Sequence, residues 1–432
     1  MTSRNRNLIA PSNGYRFEGR SASWYGVSKA LDFDSITCPE NLVSVFKAMR
    51  WRSPTAPGLD DYTIRDFSTT EFGEIARVLS RQLRNGVWRH SASRPAFLTR
   101  SRGGRGRLIR IRNLVDRVVS TAVAVAVTNE LEKHLSDHTF AYRPGRSSHH
   151  MHAVIAQVIE DGNYVVAQDD VRSAFSFLRV ADAVNDFRRV LSARIAPVDR
   201  LVNLIRNILL GSNCSEVGIE QGDPLSPPTF NLRMHFCFGL SSQSTAHQNN
   251  SPLRFWYSDN AVYLCQSVSE GLRAVAVDGE TLREAGFSFK GQNNYPLDLN
   301  RQGAVTEVLG LRLRLRNGRV KFDFKRNAFH ELSIALQACS IRSNPVLVSK
   351  QVIAGWINEY GAVFESNGCE RYLSDIRDTI LEHHLDECSS SKWLRSQMEK
   401  ACDTWNRIRV CSIGNHFGDT GSTIVAPQPE VR

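Results

Sequence analysis

The chain has 432 residues, 41% of them apolar and 23% charged, the make-up of an ordinary globular protein with room for several subdomains around a large core. Lys and Arg total 54 against 44 Asp and Glu, a net charge of +10 that favours a polyanionic partner such as nucleic acid. No run of about 18 apolar residues occurs, and the first twenty residues are polar and Arg-rich, so neither a membrane span nor a secretory signal is expected and a cytoplasmic location is. The nine cysteines are scattered without a C-x-x-C pair, which reads as reduced thiols and argues against a zinc site.

Residues 1–45 read as an N-terminal extension, with helical spacing from Leu42 to Arg50 at its end. Two prolines and a glycine between Pro54 and Asp61 then impose a loop. Phe72 to Leu83 has the spacing of an amphipathic helix that stops at Asn85-Gly86. Between Phe97 and Arg117 stand Arg100, Arg102, Arg105, Arg107, Arg110, Arg112 and Arg117, with Asp116 as the single acid. Leu108 to Arg112 alternates as a strand, and Gly103, Gly104 and Gly106 supply a turn before it. Two basic strands joined by a glycine turn would make a flap suited to phosphates; a solvated basic loop explains the same composition equally well.

Val118 to Leu135 permits a buried helix, and another is expected from Ser148 to Glu160. His149, His150 and His152 cannot all share one face of it, so they read as surface or core histidines rather than metal ligands. Tyr164 to Gln168 is an apolar strand that ends on Asp169 and Asp170. A carboxylate at the end of a buried strand needs a cation, or else caps the next helix. Pro197 to Leu210 reads as a helix, and the Gly/Pro-rich loop from Gly218 to Pro228 opens another, running through Asn231 and Met234 to Leu240.

Leu253 to Cys265 consists of two apolar runs around Ser258-Asp259-Asn260, the pattern of a β-hairpin with a carboxylate fixed at its tip. Asp259 and an acid from the earlier strand can share a space only with a cation between them, and a divalent metal fits that role. Leu272 to Ala285 is a further helix, and strands from Val308 to Leu315 and from Arg319 to Phe324 flank Asn317-Gly318. Residues 326–410 read as mostly helical and 411–432 as a polar tail.

These motifs, in this order, resemble those of bacterial reverse transcriptases of the group II intron-like lineage over roughly residues 45–365. Pro57-Gly58-Leu59-Asp60, Arg107-Leu108 with Asp116-Arg117-Val118-Val119, and Phe140-Ala141-Tyr142-Arg143-Pro144-Gly145-Arg146-Ser147 match the early motifs. Asp170 to Phe175 and Gln221 to Pro227 match the first catalytic and the template-primer motifs. Tyr257-Ser258-Asp259-Asn260 is similar to Tyr-X-Asp-Asp, with Asn260 where the family's second aspartate would stand. Val308-Leu309-Gly310 and Gly355 to Tyr360 resemble the strand after the palm and a thumb motif.

The resemblance implies an α/β (α+β) right-hand polymerase. Its fingers would span 46–160, a palm with an antiparallel sheet 161–325, and a helical thumb 326–410. It implies an RNA-directed DNA polymerase using two Mg²⁺ ions, or Mn²⁺ in their place. Asp170, Asp259 and Asn260 would be catalytic, with Asp170, Asp259 and the Val171 carbonyl as metal ligands. Arg100 and Arg107 would clamp the triphosphate of a dNTP, Phe175 would crowd the sugar 2′ position, and Gln221 and Gly222 would lie against nucleotide and template. Arg143, Arg146, Ser226 and Tyr257 would meet nucleic acid. The family's strand lysine aligns best with Asn293, with Lys290 three residues early. The implied partners are an RNA template, including a structured non-coding RNA of the kind used in anti-phage defence, and the DNA product; a homo-oligomer or a partner protein is compatible, a membrane is not. A silent RNA-binding scaffold and a template-independent or protein-primed polymerase are the alternatives.

Overall fold

The structure, a computed structural model, describes residues 27–52, 56–98, 107–212, 214–239, 252–291 and 295–417. Helices α1 (Phe33–Thr37) and α2 (Pro39–Arg52) pack with α4 (Leu114–Leu131), and α3 (Thr69–Arg84) packs on the first two. The third begins ahead of its first apolar residue because Ser68 and Glu71 form a capping box, Ser68 Oγ accepting from the Glu71 N–H and Glu71 Oε2 from the Ser68 N–H. Phe72, Ala76, Leu79 and Leu83 recur at helical spacing and make its buried stripe, with the Phe72 ring stacked 4.1 Å from Phe46. The loop before it is pinned where Asn113 Oδ1 accepts from Leu59 N at 2.9 Å. Gly58 allows that approach, since a Cβ there would lie 2.3 Å from Asn113 Oδ1. The expected basic strands exist as the antiparallel pair β1 (Arg94–Leu98) and β2 (Arg107–Ile111); the glycine turn and Arg100 lie outside the described residues.

The central sheet has the order β4 (Leu253–Tyr257), β5 (Asn260–Cys265), β3 (Val165–Asp170), β6 (Leu297–Asp298), antiparallel throughout. Alternation of side chains gives it two buried faces. Val165, Ala167, Trp256, Ala261 and Tyr263 join one apolar core, and Val166, Phe255, Val262 and Leu264 join the other. The first core is completed by α6 (Ala174–Phe177), α7 (Val180–Leu191), α8 (Asp199–Leu210), α9 (Ser226–Met234) with a π turn after it, and α10 (Val268–Glu284). The second takes in α5 (Ser148–Glu160) and the sheet β7 (Thr306–Val308), β8 (Leu311–Arg316), β9 (Arg319–Phe324). Helices α11 (Ala328–Ser340), α12 (Pro345–Glu359), α13 (Gly361–Asn367), α14 (Glu370–Leu381) and α15 (Ser391–Phe417) close it.

One expected strand is corrected: Val308 to Leu315 is two strands, because Leu309 (φ 46°) and Gly310 (φ 86°) turn the chain back between β7 and β8. An apolar side chain at a left-handed turn position hides the turn from a reading of periodicity.

The histidines of α5 resolve into core and rim. His149 and His152 are buried one turn apart, with Nε2 atoms on the carbonyls of Glu359 (3.0 Å) and Val308 (2.8 Å). Burial drives the His152 pKa down from 6.5 to about 4, so the folded protein holds a neutral ring where the unfolded chain takes up a proton. This contribution to stability is complete above pH 6.5 and is lost as pH falls towards 4. The expected loss between pH 7 and pH 5 is about 2 kcal/mol. Denaturant melts at both pH values test it: His152→Gln should flatten the acid limb by about that amount, and an unchanged slope would contradict it.

Candidate active site

Pairing of β3 with β5 sets Asp170 opposite Asn260 and Asp169 opposite Ala261. Adjacent residues on a strand face opposite ways, so the two acids have different surroundings. Asp169 is 4% exposed, and its carboxylate accepts from the N–H groups of Asp170 (2.8 Å) and Gly291 (3.1 Å). Burial raises its pKa, and those two N–H groups oppose the rise. Main-chain donors hold this carboxylate in place.

Asp170 is half-exposed and belongs with the hairpin. Tyr257 and Asn260 pair across a two-residue turn whose first residue, Ser258, has φ 57°. Val171 N donates to Asp259 O at 2.8 Å, tying the turn to the end of β3. Asp170, Val171, Asp259 and Asn260 thus come together at one end of the sheet. The Asn260 amide lies 3.3 Å from Tyr257 O and 3.4 Å from Asp259 Oδ1. Residues 288–291 run beside this end through Arg172 N to Ser288 O and Lys290 N to Asp170 O, both 2.8 Å, and Lys290 Nζ reaches Asp170 Oδ2 at 2.7 Å. Lys290, set three places early by alignment, is thus the lysine at the site; Asn293 lies outside the described residues.

The segment before α5 supports the hairpin from its open edge. Phe140 N donates to Trp256 O at 2.9 Å and Trp256 N to His138 O at 2.8 Å, while Ser258 Oγ lies 3.2 Å from Tyr142 Oη. Two residues expected to meet nucleic acid serve the interior instead. Arg143 is 2% exposed, and its guanidinium is consumed by Glu132 and by the carbonyls of Ser136 and Thr139. Ser226 is also 2% exposed, and its Oγ donates to Glu220 O at 2.8 Å. Arg146 clasps Asp137 at the surface. Both arginines look equally basic in sequence; only the packing separates them.

The Gln221-Gly222-Asp223 loop is fixed to β2 and α4. Arg110 N donates to Gln221 O at 3.0 Å, and Gly222, at φ 105°, passes so close that a Cβ would lie 3.2 Å from Arg110 O. Beneath it, the buried Arg112 guanidinium meets Glu220 Oε2 at 2.7 Å and Asp223 Oδ2 at 2.8 Å, and donates to Ile208 O at 3.0 Å. Ser120 Oγ adds a bond to Asp223. Sequence reasoning counted Arg112 only as one of many basic residues; the buried acid of Gly222-Asp223-Pro224 was the sign that a cation had to reach it. Phe175, half-buried, stacks on Phe230 with ring centroids 5.1 Å apart, and its carbonyl accepts from Ile219 N, which ties α6 to the start of the same loop. The side chain of Arg107 lies outside the described residues, although its backbone pairs with Leu98.

The donors at the sheet end are two carboxylates, a carboxamide and main-chain carbonyls. Such an all-oxygen set suits a hard divalent cation such as Mg²⁺, while Asp170 is here paired with the Lys290 ammonium. Among the described residues no group of three or more His, Cys, Asp or Glu could hold a metal.

No protein-family model matches the sequence, and no curated protein does. Among solved structures, the chain is similar to telomerase from Candida albicans in complex with a TWJ fragment of telomeric RNA, at 10% identity and a TM-score of 0.41 over 74% of this chain and 62% of that one. It is also similar to apo telomerase from Candida tropicalis truncated from the C-terminal domain, at 8% identity and a TM-score of 0.41 over 54% of this chain and 55% of that one. The chain thus spans less than two thirds of either.

Proposed function

We propose that the chain is an RNA-directed DNA polymerase of right-hand architecture, with fingers over 46–160, palm over 161–325 and thumb over 326–410. The observation that carries the reading is the register of β3 on β5, which brings Asp170 level with the turn that bears Asp259. A bound pair of divalent ions would supply the Lewis acidity and charge neutralisation that nucleotidyl transfer needs. The chain's part is to hold and orient. Asp170, Asp259 and the Val171 carbonyl present oxygens from a strand end and a tight turn, both rigid. Lys290 shields Asp170 until the ions arrive. Phe175, braced on Phe230, favours deoxynucleotides by crowding the sugar, while Gln221 and Gly222 face the incoming nucleotide. The net charge of +10 supports an extended nucleic-acid path, and a structured non-coding RNA is the template we favour.

Extension of a primer on a defined RNA by purified protein tests the reading. The expected product is complementary to the template and is made from dNTPs, not rNTPs. No incorporation, or a product whose sequence ignores the template, would overturn it. Asn260 gives the site one negative charge fewer than a second aspartate would, and hard Mg²⁺ depends on carboxylates more than Mn²⁺ does. Wild-type protein should therefore work better in Mn²⁺, and Asn260→Asp should shift the preference to Mg²⁺; equal or better wild-type activity in Mg²⁺ alone would contradict this. The Lys290–Asp170 ion pair favours a second reading, a silent scaffold that binds RNA with its carboxylate neutralised. RNA binding without incorporation in either metal would select it.

A further inference from the structure

Two of the nine cysteines meet where the start of α14 lies against α15. The sulfurs of Cys369 and Cys402, 33 residues apart along the chain, are 3.8 Å from one another, and both side chains are half-buried. Cys402 is fixed. Its Sγ lies 3.9 Å from Gly361 O, and α13 and α15 touch through their backbones there, since a Cβ on Gly361 would lie 2.5 Å from Ala401 O. Cys369 stands just before α14, whose first turn is tied to α15 by the Glu370–Arg395 ion pair. Those two side chains are 68% and 47% exposed, and a pair so open to water adds little stability.

A disulfide holds its sulfurs about 2.05 Å apart, so closing this pair takes a movement of about 1.7 Å, within reach of a side-chain rotation at Cys369. Burial pushes both thiols up, Cys402 to about 12, so both carry their protons at neutral pH. The hydrogen bond then divides the roles: donated by Cys402, it eases loss of the Cys369 proton and hinders loss of the Cys402 one. Glu370 and Glu399 beside Cys369, and Glu365 and Asp403 beside Cys402, add to the hold on the protons. Neither thiol is activated as a nucleophile in the manner of a thiolate site. What sets the pair apart is that an oxidised Cys369 has its partner sulfur already in contact, which makes the second step intramolecular.

We propose that Cys369 and Cys402 form a reversible redox site, a dithiol that a small neutral peroxide converts to a disulfide joining the start of α14 to α15. Cys369 gives up its proton and its sulfur attacks a peroxide oxygen. The O–O bond breaks, the departing hydroxide takes that proton and leaves as water, and Cys369 becomes a sulfenic acid. The Cys402 sulfur then attacks the Cys369 sulfur; the S–O bond breaks, and the second hydroxide takes the Cys402 proton and leaves as water. Two electrons pass from the two sulfurs to the peroxide, and a dithiol reductant returns them. The site is independent of the polymerase reading.

Mass spectrometry of the full chain tests the proposal, after limiting hydrogen peroxide, capping of the remaining thiols with N-ethylmaleimide and digestion without reductant. The expected result is a linked Cys369–Cys402 peptide that forms ahead of oxidation at the other cysteines and disappears with dithiothreitol. The link closes a loop of 33 residues and should raise the melting temperature by about 4 °C over the reduced protein. In Cys402→Ser the sulfenic acid at Cys369 should persist and be trapped by dimedone. The wild-type peptide decides the matter if that variant fails to fold. Peroxide that leaves both thiols free, links either of them to a different cysteine, or oxidises Cys369 beyond the sulfenic acid without a link would overturn the proposal. So would a linked protein that melts no higher than the reduced one.

Discussion

Asp259→Ala and Asp170→Ala should each lower deoxynucleotide incorporation by about a thousandfold or more, since a metal-held transition state is worth several kcal/mol and about 1.4 kcal/mol corresponds to a factor of ten. Each removes one of only two acids from the site, leaving one carboxylate, the Asn260 carboxamide and main-chain oxygens. The fold should survive. Asp259 is half-exposed in a turn whose backbone bonds do not involve its carboxylate, and the Asp170 side chain bonds to Lys290 across a half-exposed surface, where such a pair adds little stability. Asp169→Ala is the informative contrast. It should lower the melting temperature, because it strips the acceptor from the N–H groups of Asp170 and Gly291, the second of which ties the end of β3 to residue 291. Full incorporation by either Asp170→Ala or Asp259→Ala would remove the proposed chemistry.

Arg112→Met should destabilise the protein by about 3–5 kcal/mol, the cost of breaking a buried ion pair from one side. The guanidinium answers Glu220, the fully buried Asp223 and a helix-end carbonyl at once, and a thioether leaves both carboxylates with neutral donors only and the carbonyl without this donor. Arg112→Lys should rescue little of this, because a single ammonium cannot span acceptors that the planar fork reaches together. Denaturant midpoints measure both variants. Arg112→Lys at wild-type stability would mean that charge alone, rather than the fork, holds the Gln221-Gly222 loop in place.

The parts of this molecule legible in its sequence are those that local chemistry dictates. The turn at Ser258-Asp259, the end of α3 at Asn85-Gly86 and the alternation in β2 follow from short patterns, and the structure has them. Periodicity set the start of α3 too late, because Ser68 and Glu71 act through capping bonds rather than burial. Motif resemblance singled out Asp170 over Asp169, but what places it level with the hairpin turn is the strand register, a property of two segments about ninety residues apart. Arg143 and Arg146 differ only in what surrounds them, and Lys290 reaches the site because residues 288–291 pair with the end of β3, which no spacing rule along the chain encodes.

The most direct test of the central claim, that the end of β3 and the hairpin turn form one cation site for nucleotidyl transfer, is crystallographic. Crystals of the protein soaked with Mn²⁺ and a non-hydrolysable dNTP should give an anomalous difference peak within coordinating distance of both Asp170 and Asp259, with Lys290 Nζ withdrawn from Asp170 Oδ2. A peak elsewhere, or an unaltered Lys290–Asp170 pair with no metal beside it, would contradict the account.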